Sequence, residues 1–103
     1  MDAFVVAMLD FVDELAYRRY QAAFPGVFGK FNAKLLAADE APLLIEGDRP
    51  APSKIVILQF PSQEEAVRFT TDADYARISK DRHAGAVTLS LLVNGLPPPL
   101  VTG

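Results

Sequence analysis

Cysteine is absent from this 103-residue chain, which excludes disulfides, thiolate metal sites and a cysteine nucleophile. Tryptophan is also absent, and histidine occurs once, as His83. Asp10 and Asp13 have no histidine at ligand spacing, so no metal and no cofactor is expected. Glycine-rich phosphate cradles and a serine nucleophile elbow are likewise missing. Basic residues number 10 against 13 acidic ones, a net charge of -3, and they form no stripe that would track phosphates. Nucleic acid is therefore not expected as a partner. No hydrophobic run is long enough to span a bilayer. Residues 1–9 are apolar but bracketed by Asp2 and Asp10, without the basic start and cleavage site of a leader. The expectation is a soluble, cytoplasmic protein with no membrane partner.

What is present is apolar: half of the residues are hydrophobic in a chain with room for one core. Part of that surface is expected to meet another subunit. Residues 4–9 (FVVAML) read as a strand buried on both faces. From Asp13 the period changes, with Ala16, Tyr20, Ala23, Phe24, Val27, Phe28 and Phe31 at helical spacing. Pro25-Gly26 should kink or restart that helix, which is expected to end near Phe31-Asn32 with Asn32 as a left-handed cap. Residues 33–38 (AKLLAA) are a second strand, 39–42 a turn, 43–46 (LLIE) further extended chain, and 47–52 a loop.

The strongest local signal follows. Residues 55–60 are almost uniformly apolar and rich in β-branched residues, Pro61 stops the ladder, and Ser62 stands three residues ahead of Glu65 in capping-box spacing. That second helix should bury Ala66, Phe69 and Thr70, with a fresh start at Asp72 and Asp74 carrying Tyr75, Ile78 and Arg82. Val87, Leu89, Leu91 and Val93 alternate as a last strand, ended by Asn94-Gly95. Residues 1–95 thus form one domain, and residues 96–103, with LPPPL at their start, a proline-rich arm.

This order is the α+β, ferredoxin-like split βαβ arrangement, βαββαβ, with a four-stranded antiparallel sheet and both helices on one face. The first and third strands are apolar at nearly every position and so demand cover on the other face too. Leaving ~500 Å² of such surface wet would forgo on the order of 12 kcal/mol, comparable to a domain's whole stability. A homodimer through the open sheet face is the expected solution.

Tyr17 and Tyr20 after the first strand, Glu46-Gly47, the Phe60-Pro61-Ser62 joint, Ala66, Phe69, Asp74-Tyr75 and Arg82 together carry a resemblance. Over roughly residues 4–95 the sequence resembles the uncharacterised family called domain of unknown function 1330, of the dimeric α/β barrel superfamily. The resemblance implies a ferredoxin-like dimeric barrel with no settled activity. The chain departs from the family at Phe31-Asn32-Ala33, where members often carry a glycine pair, and at Thr70, often aromatic. The Asn-His-Trp set of some haem-degrading relatives cannot be assembled without tryptophan.

Two function classes are consistent with these features. In the first, a pocket between sheet and helices takes a small aromatic or acidic ligand, as a binder or as a monooxygenase-, isomerase- or cyclase-like enzyme needing no cofactor. Its candidate ligand-binding residues are Tyr20 on the apolar stripe, Gln59 as the polar residue of the strongest strand, Tyr75, and Arg82, whose fork fits a carboxylate. His83 is the candidate general base, set against a plainer role with Arg82 at a helix C-terminus. In the second, the domain is a non-enzymatic protein-interaction or ligand-sensing module, favoured by a filled interior with Arg82 and His83 in solvent.

Overall fold

The computed structural model describes residues 1–97, and in it four largely apolar stretches form one antiparallel sheet. β1 (Ala3–Phe11) and β3 (Lys54–Phe60) lie at its centre, with β2 (Lys34–Asp39) and β4 (Ala86–Asn94) at its edges, in the order β2-β3-β1-β4. α1 (Glu14–Phe28) joins β1 to β2, while α2 (Gln63–Thr70) and α3 (Ala73–Gly85) join β3 to β4. This is the expected ferredoxin-like topology with its second helix divided in two.

Strand register decides which side chains meet the helices. Val5 lies opposite Leu58, and Ala3 opposite Phe60, so these four and Leu9 turn inward and are buried. Phe4, Val6 and Met8 share the opposite face with Ile55 and Ile57, and with Val87, Leu89, Leu91 and Val93 of β4. That face is bare at its β4 edge, where Val87 is 65% and Leu89 55% exposed. On the helical side Phe69 is the centre of an aromatic cluster. Its ring lies 4.2 Å from Tyr75, 5.3 Å from Phe31, 5.5 Å from Phe60 and 5.6 Å from Phe28 between centroids.

Each helix start carries a side-chain cap that satisfies an orphan amide. Asp13 Oδ1 accepts from Ala16 N at 3.3 Å, Ser62 Oγ from Glu65 N at 3.1 Å, and Asp72 Oδ2 from Tyr75 N at 3.0 Å. Only half of the capping box forms, because the Glu65 carboxylate turns away to the backbone N–H of Asn32 and to Arg68.

Several local expectations are corrected. α1 runs through Pro25 without a restart, and its end is Gly29, whose N–H donates to the Pro25 carbonyl at 3.0 Å. Asn32 is not a left-handed cap: among the described residues no side-chain-bearing residue has positive φ, and the Glu65 contact holds the turn instead. Thr70 and Ala23 are exposed, since each helix already fills its inner stripe with larger rings. Residues 43–46 form no strand. β2 stops at Asp39, whose carboxylate folds back on the Ala41 amide at 2.8 Å and turns the chain out of the sheet. Of the expected proline arm, Leu96 and Pro97 are exposed, and residues 98–103 lie outside the described residues.

Candidate functional site

The inward face of α1 repeats every three to four residues as Tyr17, Tyr20, Phe24 and Val27, and all four pack toward the sheet. Between this stripe and the β2–β3 edge remains a cavity of about 210 Å³, lined by Tyr17, Tyr20, Phe24, Leu35, Lys54 and Val56 among others. It exists because β2 is a short, alanine-containing edge strand with a register shift between Leu35 and Ala37. The sheet's rim is thin there, and Ala38 contributes little bulk against the large rings of α1.

One end of this apolar space is charged. Lys54 opens β3 on the same face as Val56, Leu58 and Phe60, and its side chain is 4% exposed. Its Nζ lies 4.9 Å from the centroid of the Tyr17 ring and 3.3 Å from Glu40 Oε2. Glu40 itself is gripped by Arg18 through two parallel bonds, 2.6 Å from Nη1 and 2.7 Å from Nη2. Those Arg18 bonds, helped by Lys54, hold the Glu40 carboxyl down at about 2 from an ordinary 4.5. Arg18 also reaches Glu14 at 2.7 Å and lies over Phe11, so its guanidinium bridges α1 and the chain leaving β2.

Behind the cavity wall lies a second polar group. Tyr20 Oη meets Tyr75 Oη at 3.3 Å, and the Arg82 guanidinium sits 5.7 Å and 5.9 Å from the two ring centroids. Burial, then the neighbouring Tyr75, pushes the Tyr20 hydroxyl well above the ordinary tyrosine range. It is therefore a neutral donor at any working pH, not a base. Arg82 pairs with none of Asp72, Asp74 or Glu46. Asp72 and Asp74 hold Lys30 instead, at 3.3 Å and 2.7 Å. Among the described residues Arg82 Nε is buried without a hydrogen-bond partner, as are the hydroxyls of Ser79 and Thr88.

Among the sequence candidates, Tyr20, Tyr75 and Arg82 are brought together, and only Tyr20 borders the cavity. His83 is exposed and touches Arg82 Nη2 at 3.3 Å. Gln59 lies apart: it shares the open sheet face with Phe4, and its Nε2 donates to Asp2 Oδ2 at 2.7 Å. The residues sequence reasoning missed are Lys54, Glu40 and Arg18. Strand parity was the available signal for Lys54, which keeps step with Val56, Leu58 and Phe60.

Among the described residues no three His, Asp or Glu side chains are grouped to hold a metal, and no helix is long and apolar enough to cross a membrane. No functionally curated sequence matches the chain. The fold is similar to a protein of unknown function from Rhodopseudomonas palustris, with a TM-score of 0.78 and 17% identity over 94% of this chain and 84% of that one. It is also similar to SnoaB, a cofactor-independent oxygenase from Streptomyces nogalater, at TM-score 0.66 and 13% identity over 98% of both chains. A third likeness is a dimeric protein of unknown function with a ferredoxin-like fold from Bacteroides fragilis, at TM-score 0.62 and 7% identity over 91% of this chain and 96% of that one. At such identities the likeness is one of fold. The family model of the domain of unknown function DUF1330 matches residues 2–96, nearly the whole chain, and the protein belongs to that family.

Proposed function

We propose that the protein binds a small, mainly apolar aromatic molecule in the cavity between α1 and the β2–β3 edge, and that it works as a homodimer closed through its bare sheet face. The observation that carries the reading is the cavity itself. At about 210 Å³ it is larger than the space of roughly 150 Å³ that holds benzene in an engineered core. Its walls offer the rings of Tyr17, Tyr20 and Phe24 and the aliphatic side chain of Val56 to a planar guest. A reaction without a cofactor, as the Streptomyces oxygenase is described to perform, is the enzymatic form of this reading. Tyr17 and Lys54 would then be the cavity's proton-bearing groups.

The dimer is supported by the row Val87, Leu89, Leu91 and Val93, all exposed along β4, and by the description of the Bacteroides fragilis protein as dimeric. The module reading draws on a different feature: Leu43 and Ile45, 86% and 93% exposed on the loop after β2.

Titration of the protein with indole, followed through backbone amide NMR signals, tests the pocket. Saturable shifts at Tyr20, Phe24 and Val56 are expected, and Ala38→Leu, which fills the cavity, should weaken binding about tenfold. Indole and the single-ring probes benzoate and benzamide all leaving those signals unmoved at millimolar concentration would remove the pocket reading and favour the exposed loop. Sedimentation equilibrium tests the dimer: the wild type should run as a dimer and the double substitution Leu89→Lys, Leu91→Lys as a monomer.

A further inference from the structure

The unusual group in the cavity wall is the Lys54 ammonium. A lysine side chain 4% exposed has given up nearly all of its hydration, a cost that needs compensating partners. An ammonium carries three donors. Among the described residues the side-chain acceptor near Nζ is Glu40 Oε2 at 3.3 Å, an oxygen that it shares with Arg18 Nη1 at 2.6 Å. The Tyr17 ring face supplies a weaker contact at 4.9 Å. With one charged acceptor for three donors, the Lys54 ammonium has hydrogen-bonding capacity left for a group in the cavity that it lines. Arg82, the other cation near Tyr20, stands behind the wall and does not border this space.

From this we infer that the ligand of the cavity is a single-ring aromatic acid, with its ring among Tyr20, Phe24, Leu35 and Val56 and its carboxylate on Lys54 Nζ. The inference rests on the pocket reading above and adds the ligand's charge and size. The cavity is larger than a benzene-sized space, which suits one ring with a small substituent. Placement agrees with charge. Ala38 pairs with Val56, so Lys54 lies just beyond the end of β2, at the charged end of an otherwise apolar space. Arg18 holds Glu40 in place there by two short bonds, which leaves the ammonium free to take a second carboxylate. Two cations, Arg18 and Lys54, share Glu40, and the other acid on Arg18, Glu14, is turned mostly to solvent.

Benzoate and its neutral isostere benzamide separate charge from shape. In amide-detected NMR titrations the wild type should bind benzoate at least tenfold more tightly than benzamide, with shifts at Tyr20, Lys54 and Val56. Lys54→Met should remove that preference while benzamide affinity is kept, which also shows that the variant is folded. Glu40→Gln, which relieves the competition for the ammonium, should raise benzoate affinity and leave benzamide unchanged. Equal affinity for the two probes in the wild type, or a preference that survives in Lys54→Met, would overturn the acid while leaving an aromatic pocket standing. Failure of benzoate, benzamide and indole alike to shift the cavity signals would overturn the pocket and the acid together.

Discussion

Gly85 closes α3 where the start of α1 crosses it, and its carbonyl accepts from both Val12 N at 2.8 Å and Asp13 N at 3.1 Å. A Cβ built there would lie 2.8 Å from the Asp13 carbonyl oxygen and from Tyr17 Cα, and closer still to Tyr17 N. These are backbone atoms and cannot swing aside. Gly85→Ala is accordingly expected to cost ~3 kcal/mol, because the helices must part, and urea unfolding followed by far-UV circular dichroism measures it. A change under 0.5 kcal/mol would show that the crossing is looser than described. Site residues were legible in the sequence in proportion to how far their role depends on local period. Tyr20 stands out from the apolar stripe of α1 alone. Lys54 does not, because its burial depends on which face of β3 the register turns to the helices. The same parity separates Gln59 from Lys54, an odd and an even position on one strand, and a reading that tracks polar residues without tracking parity cannot tell them apart.

At the level of elements, the caps do most to fix where helices begin. Ser62→Ala removes the acceptor for the Glu65 amide at 3.1 Å and is expected to destabilise the protein by about 1 kcal/mol, with the urea midpoint as readout. Glu65→Gln should leave that cap intact and loosen the turn at Asn32 instead, since its carboxylate serves that amide and not the box. Element types and order were readable because strands and helices differ in period and the Phe60-Pro61-Ser62 joint is sharply punctuated. Element ends were harder to place. The helix past Pro25 survives because a proline loses one amide bond to the Gln21 carbonyl, while Val27 and Phe28 still bury their side chains beyond it. Asn32 looks like a cap by type, yet its amide is claimed by a carboxylate 33 positions away, a partner no local pattern announces. Residues 43–46 have strand composition without a neighbouring strand to pair with.

Over the whole molecule, carboxylates tie the layers together. Glu40 links α1 to the chain leaving β2, and Glu65 links α2 to the turn before β2. Both are held at about 2 against an ordinary 4.5, chiefly by hydrogen bonds from Arg18 and Arg68; the Tyr75 amide and then Lys30 lower Asp72, and Lys30 and Arg77 lower Asp74. A carboxyl depressed in the folded state contributes stability that is fully present above its unfolded value and is lost as pH falls through its folded one. The urea midpoint should therefore be flat from pH 7 to about 5 and fall between 4.5 and 2, an effect that Glu40→Gln and Glu65→Gln together should blunt. A midpoint unchanged at pH 2.5 would show these tethers to be slack in solution. The order β2-β3-β1-β4 also sets a timetable for folding. β1 is made first, yet both of its neighbours come from the second half of the chain, with Phe4 waiting for Gln59 on one side and Val93 on the other. During synthesis the most apolar strand of the protein is thus the one kept longest without a partner, and the sheet cannot close until its last strand has left the ribosome. Such non-local pairing slows folding relative to a helical bundle, and makes β1 the segment most in need of protection while it waits.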